Sequence, residues 1–153
     1  MTTRIKFLPT TTCYKTVQGN EEVELLEALY QVYRGKAILE YEGRELNLEE
    51  AIKLIANKCS RNIWVEFEVY IDLRKRGRIL SIGPKPNTLL MKKSKSKQYY
   101  EYYILILEEN KPIPLRILKD FIEEARKNSW KPIIAVVDRY GDITYYMPTP
   151  FTP

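Results

Sequence analysis

Ile63-Trp-Val-Glu-Phe-Glu-Val-Tyr-Ile-Asp-Leu-Arg-Lys-Arg-Gly77 has two readings, and the organisation of the chain turns on which is taken. Val65, Phe67, Val69, Ile71 and Leu73 alternate as they would in a half-buried strand. Ile63, Phe67, Tyr70 and Ile71 also fall on one face of a helix. Periodicity alone leaves both readings open. After Gly77 the character of the chain changes. A boundary near residue 62 divides a small α/β N-terminal domain, 1–62, from a C-terminal α/β (α+β) domain with a mixed sheet, 63–153.

Upstream, residues 4–18 alternate loosely around Pro9 and a threonine run, which predicts two short strands and a turn. From Glu22 to Arg34 the residues Leu25, Leu26, Leu29, Tyr30 and Tyr33 recur at helical spacing, and Gly35 stands where a helix ends. Ala37 to Tyr41 reads as a strand, followed by a turn at Glu42-Gly43. Asn47, with Glu50 three positions later, opens a second helix as a capping box would.

Downstream of Gly77, Arg78–Ile82 and Thr88–Lys92 read as strands around a Gly83-Pro-Lys-Pro turn, and Tyr99–Leu107 as a long strand. Leu115–Lys127 is an amphipathic helix with Leu118, Phe121, Ile122 and Ala125 inward. Ile133–Val137 reads as a buried strand and Ile143–Met147 as the last one, ended by a proline-rich tail.

The chain has 153 residues, 44% of them hydrophobic, and a formal net charge of +5. That charge fits a polyanionic partner without requiring one. No apolar run is long enough to span a membrane, and the N-terminus lacks a signal-peptide core. The expectation is therefore a soluble, cytoplasmic protein with no membrane partner. Cys13 and Cys59 are too few for a disulfide framework. Buried thiols are the expectation, with a single disulfide left open for a hyperthermophile source. There is no histidine.

Two blocks, Tyr70-Ile-Asp-Leu-Arg-Lys-Arg-Gly77 and Ala135-Val-Val-Asp138 with Gly141-Asp-Ile-Thr-Tyr-Tyr146, together resemble the signature stretches of the archaeal tRNA-splicing endonucleases. Leu26-Glu-Ala-Leu-Tyr30 with Gly35, Leu48-Glu-Glu50 and Glu101-Tyr102 extend the resemblance from about Val23 to Met147. It favours a helix ending at Gly77, whose last turn carries Arg74, Lys75 and Arg76 where they complement the helix dipole. It implies a restriction-endonuclease-like C-terminal domain and assembly of four units, some of them heterotetramers of catalytic and structural chains. The implied reaction cuts precursor tRNA at bulge–helix–bulge junctions with no metal or cofactor. The ribose 2′-hydroxyl attacks the adjacent phosphate.

In that family a tyrosine acts as base, a histidine with a pKa near neutrality as acid, and a lysine stabilises the phosphorane. Carried over position by position, the tyrosine becomes Met91, the histidine Tyr99 and the lysine Trp130. Lys131 stands next to the last, so a slip of one residue restores a cation. An arginine that grips the bulge becomes Glu123. The resemblance therefore implies a structural, non-catalytic subunit that pairs with a catalytic paralogue and binds precursor tRNA as a hetero-oligomer.

Other residues carry paired readings. Lys92, Lys93, Lys95 and Lys97 lie in the loop that is catalytic in sister chains, and are either phosphate contacts or a solvated loop. Glu108 and Glu109 match an acidic loop that docks into a basic pocket of another subunit, or form an ordinary polar turn. Ile143, Tyr145, Met147 and Phe151 are read as subunit interface at an exposed sheet edge. Glu109-Asn110-Lys111 fits half of a metal-dependent nuclease motif. Asn87 and Thr88 occupy the neighbouring strand where an aspartate is needed, so no metal site is expected. Two alternatives remain. One is an active, metal-independent ribonuclease with Tyr99 or Tyr100 as base and Lys131 as cation, which lacks an acid near neutral pH because tyrosine ordinarily titrates near 10. The other is a stand-alone RNA-binding module.

Overall fold

A computed structural model describes residues 2–59 and 62–148. The chain divides into two compact units, one ending at Phe67 and the next beginning at Glu68. Both are built on mixed five-stranded sheets.

The first sheet contains β1 (Thr3–Pro9), β2 (Tyr14–Gln18), β3 (Glu21–Val23), β4 (Ala37–Tyr41) and β5 (Arg44–Leu46), in the order β3-β2-β1-β4-β5. β1 and β4 are parallel and the other pairs antiparallel. Helix α1 (Leu25–Tyr33) supplies buried Leu26 and Leu29, and α2 (Leu48–Lys58) supplies Ile52 and Ile55. With Ile5, Phe7 and Leu39 from the strands they form the core. Each such apolar side chain contributes about 1.5–3 kcal/mol by leaving water.

The helix expected from Glu22 begins instead at Leu25. A turn at Gly19-Asn20, with Gly19 at φ 63°, folds Glu21–Val23 back against Thr16–Gln18, and the Thr16 hydroxyl donates to the Val23 carbonyl. Strand β5 was also not expected. Glu42 (φ 51°) and Gly43 (φ 77°) form a two-residue turn with positive φ at both positions, the geometry that matches strand twist and closes a tight hairpin. The capping box does form. The Asn47 side chain accepts from the Glu50 N–H at 2.8 Å, and the Glu50 carboxylate accepts from the Asn47 N–H at 3.0 Å. Such a cap is worth about 1 kcal/mol.

The expectation of free buried thiols fails. Cys13 and Cys59 are half-buried and joined by a disulfide, with Cα atoms 4.5 Å apart. The bond links the β1–β2 turn to the C-cap of α2. Closing a loop of sequence separation 46 corresponds to about 4 kcal/mol in the chain-entropy account.

Ile63–Lys75 is a helix, α3, and the division between the units falls inside it. Ile63, Val65, Phe67, Val69, Tyr70 and Leu73 are all buried, so apolar residues occur around most of its circumference. That spread is what made a strand reading possible. Gly77, at φ 80°, ends it, and the Arg78 N–H returns to the Leu73 carbonyl at 3.1 Å.

The second sheet runs β10-β9-β8-β7-β6, from β6 (Ile79–Ile82), β7 (Thr88–Lys92), β8 (Tyr102–Glu108), β9 (Lys131–Val137) and β10 (Ile143–Tyr146). Helix α4 (Leu115–Lys127) carries the chain from β8 to its parallel neighbour β9. Its Phe121 and Ala125 pack with Tyr103 and Leu105, and Leu90, Trp130 and Ile134 close around them. The Gly83–Thr88 turn is tight: a Cβ on Gly83 would lie 2.1 Å from the Thr88 hydroxyl, so this position requires glycine. Strand β8 starts at Tyr102, three residues later than the alternation suggests, and leaves Tyr99 outside the ladder. Among the described residues no helix is long and apolar enough to cross a membrane.

Candidate functional site

The three mapped positions come to one end of the second sheet. Register places Met91 opposite Tyr102 and Tyr102 opposite Lys131, across three adjacent strands. Strands lie about 4.8 Å apart, so this end is roughly 10 Å wide. Met91 closes β7, Tyr99 lies just before β8, and Trp130 lies just before β9.

Their environments differ. Met91 is 5% exposed and points into the core. The Trp130 ring lies 5.0 Å from the Tyr103 ring and packs into the cluster under α4. Tyr99 is 80% exposed. A thioether has no proton to move, and the indole carries no charge to set against a phosphorane.

Lys131, beside Trp130, is exposed, and its ammonium lies 5.6 Å from the Tyr102 ring centroid. The Lys93 ammonium lies 5.7 Å from the same centroid. Lys92 stands 5.1 Å over the Tyr100 ring and donates to the Lys97 carbonyl at 3.0 Å. Lys95 and Lys97 are exposed on the same loop. This pairing of lysines with tyrosines was not legible from spacing along the chain. The β7–β8 register creates it, bringing Lys92 back toward Tyr100 and Lys93 toward Tyr102.

Glu108 and Glu109 lie at the opposite end, where Glu108 pairs in register with Val137. Glu108 takes a salt bridge from Lys111 at 2.7 Å, within its own turn. Glu109 is exposed and its N–H donates to the Val137 carbonyl at 2.9 Å. The Asp138-Arg-Tyr-Gly141 turn belongs to this end. The Asp138 carboxylate accepts from the Tyr140 and Asp142 N–H groups at 2.8 and 3.0 Å, and Gly141 sits at φ 85°. The block Ala135-Val-Val-Asp138 with Gly141 thus encodes a strand and the hairpin after it.

Strand β10 is at the sheet edge. Ile143 and Tyr145 face inward, and Tyr146 and Met147 are each 55% exposed. The Tyr145 hydroxyl donates to Asp72 at 2.6 Å, and Asp72 also holds Arg76 at 3.1 Å. Burial, reinforced by the bond to Asp72, pushes that hydroxyl far above the usual tyrosine range, against a smaller opposing pull from Arg76. The sequence carried no signal for this pair. Phe151 lies outside the described residues. Glu123 is exposed on α4, one position before Glu124. Glu124 accepts from the buried Tyr103 hydroxyl at 2.5 Å and pairs with Lys85 at 3.2 Å. Burial would raise its pKa, but the bonds from Tyr103 and Lys85 outweigh it and hold the carboxyl below the usual range.

Residues 63–145 match the family model of the tRNA intron endonuclease catalytic C-terminal domain. The chain is 30% identical over 126 residues to the tRNA-splicing endonuclease of Methanosarcina acetivorans, covering 82% of this chain and 36% of that protein. It is 28% identical over 137 residues to the tRNA-splicing endonuclease of Methanothermobacter thermautotrophicus, covering 87% and 79%. A relative of the same description from Pyrococcus abyssi is 29% identical over 134 residues, covering 87% and 78%. The chain thus spans little more than a third of the Methanosarcina protein's length and more than three quarters of the other two. The family model runs from the start of α3 into β10, stopping one residue short of Tyr146, and takes in the sheet end where Met91, Tyr99 and Trp130 gather; on that basis the chain belongs to the tRNA intron endonuclease family.

Proposed function

We infer that the chain is a structural, non-catalytic subunit of a tRNA-splicing endonuclease. It assembles with a catalytic paralogue that cuts introns from precursor tRNA at bulge–helix–bulge junctions. The observation that carries this reading is the fate of the three mapped positions. Met91 and Trp130 serve packing, Tyr99 stands in solvent, and the chain has no histidine to protonate a leaving 5′-oxygen.

The reading assigns the two ends of the sheet different work. Glu108 and Glu109, with Ile143, Tyr145, Met147 and Phe151, form the subunit interface. Lys92, Lys93, Lys95 and Lys97 contact phosphate on the tRNA body. Residues 63–153 then act as a nuclease-like domain that orients the catalytic chain, and residues 1–62 as its smaller companion. Neither metal nor cofactor takes part, and the assembly works in the cytoplasm.

The test uses the mixed enzyme. Replacing the catalytic chain's histidine should remove all cutting of a bulge–helix–bulge RNA, because this chain supplies no second site. Residual cutting at either junction would show that this chain cuts.

One observation favours the rewired-site alternative. Lys131 and Tyr100 are close to the same group of residues, so a cation and a hydroxyl share the sheet end. An acid that works near neutral pH is still lacking there.

A further inference from the structure

Cys13 and Cys59 are the two cysteines of the chain, and their bond has no part in the sheet end or the interface described above. The segments it joins are built unequally. On one side the β1–β2 turn closes on itself. The Thr10 N–H and hydroxyl both donate to the Cys13 carbonyl, at 2.7 and 2.8 Å, and the Cys13 N–H donates to the Thr10 hydroxyl at 3.0 Å. On the other side Cys59 is the C-cap of α2, and its N–H donates to the Ile55 carbonyl at 2.9 Å. Ile55 is fully buried, whereas Ala56, Asn57 and Lys58 are all exposed. The last turn of α2 is therefore held down at Ile55 and, beyond it, by the bond at Cys59.

A weaker contact runs beside the bond. Tyr14 follows Cys13, Lys58 precedes Cys59, and the Lys58 ammonium stands 5.0 Å from the Tyr14 ring centroid. An exposed cation–π contact contributes much less than a covalent cross-link, so without the bond this helix end has little to oppose fraying. Neither cysteine is fully buried, which leaves the bond within reach of a small thiol. Whether such a bond persists then depends on the redox state of its surroundings.

We propose that Cys13–Cys59 is a reversible redox lock on the end of α2, opened by a dithiol reductant. One thiolate of the reductant attacks a protein sulfur and forms a mixed disulfide. Its second thiol displaces the protein and leaves as a cyclic disulfide. Two electrons and two protons pass to the protein, which is left with two cysteine thiols. The β1–β2 turn keeps its shape through the Thr10 bonds, and the last turn of α2 frays. That segment leads into α3, whose Ile63, Val65 and Phe67 are buried, so the lock fixes the point from which the chain enters this helix. The proposal is independent of the reading of the chain as a non-catalytic subunit.

The experiment follows hydrogen exchange of the full chain by NMR, air-oxidised and after reduction with dithiothreitol, and counts thiols by maleimide labelling. The oxidised chain should label at neither cysteine and the reduced chain at both. On reduction the amides of Asn57, Lys58 and Cys59 should exchange about thirty- to a thousandfold faster, the span that a disulfide's usual contribution sets. The Cys13 amide should change less, and the amides of residues 68–148 should not change. Reoxidation with oxidised glutathione should restore slow exchange. Cys13→Ser should match the reduced chain and ignore dithiothreitol, and the reduced wild type makes the same comparison without a substitution. The proposal is overturned if the air-oxidised chain labels at both cysteines, or if the end of α2 exchanges at one rate in both states. It is also overturned if residues 68–148 speed up by the same factor, or if reoxidation leaves the fast exchange in place.

Discussion

The two ends of the second sheet are made by the same strands, yet they carry opposite chemistry. At the Met91–Tyr102–Lys131 end, lysines cluster over tyrosine rings, and the mapped positions hold a thioether, an exposed phenol and an indole. At the Glu108–Val137 end, carboxylates are engaged in turns: Glu108 with Lys111, and Asp138 with two backbone N–H groups. The difference teaches that a fold can keep the family's sheet while two of the three mapped positions, Met91 and Trp130, serve packing. The frame of β7, β8 and β9 depends on Tyr103, Phe121 and Trp130 packing under α4, and that packing asks nothing of a catalytic group.

If the acidic end docks into a partner, Glu108→Lys with Glu109→Lys should have the largest effect. Losing a desolvated charge pair costs about 2–5 kcal/mol, and reversal adds repulsion. Sedimentation of the mixed enzyme should show the assembly falling to half-size species. An unchanged mass would rule the docking out. The exposed edge should come next. Tyr146→Lys with Met147→Lys puts charge on an edge strand without touching the Tyr145–Asp72 bond, and charge at an edge opposes pairing with another chain. Co-purification with the catalytic chain should be lost while circular dichroism stays the same. Retained co-purification would place the interface elsewhere.

At the basic end the expected effect is smaller. Replacing Lys92, Lys93, Lys95 and Lys97 by alanine should flatten the salt slope of RNA binding by the assembled enzyme, by roughly 0.7–0.9 for each real phosphate contact. A wild-type slope would make this a solvated loop. The smallest effect concerns the packing shared by both ends. Glu124 has a depressed folded pKa, so its contribution to stability is present above the usual carboxylate range and is lost as pH falls through the folded value. Glu124→Gln should therefore reduce the steepness of acid unfolding below about pH 4. An unchanged acid limb would show that the Tyr103 and Lys85 bonds carry no net stabilisation.

Much of this architecture could be read from local signals. Asn47 and Glu50 announce α2 because a capping box is a contact between near neighbours, and α4 shows its apolar stripe because only one face is covered. The misses have two causes, strands too short to show a period and bonds between residues distant in the chain. β3 and β5 are three residues each, too short for a period, and exist because hairpin turns pair them. The Cys13–Cys59 bond spans the first sheet and a helix, and the Tyr145–Asp72 bond joins residues 73 positions apart. At the site, residue identities were legible but their surroundings were not. Trp130 could be named from its distance to Ala135, and only the packing shows its ring against Tyr103. The pairing of Lys93 and Lys131 over Tyr102 required the register of three strands.

The most direct measurement incubates the purified chain, alone and in the presence of chelator, with an end-labelled bulge–helix–bulge RNA, and then repeats the assay after adding the catalytic sister chain. The account predicts intact RNA in the first case and cutting at both junctions, with 2′,3′-cyclic phosphate ends, in the second. Junction-specific cutting by the chain alone would contradict it and would assign the chemistry to the Lys131 and Tyr100 end of the sheet.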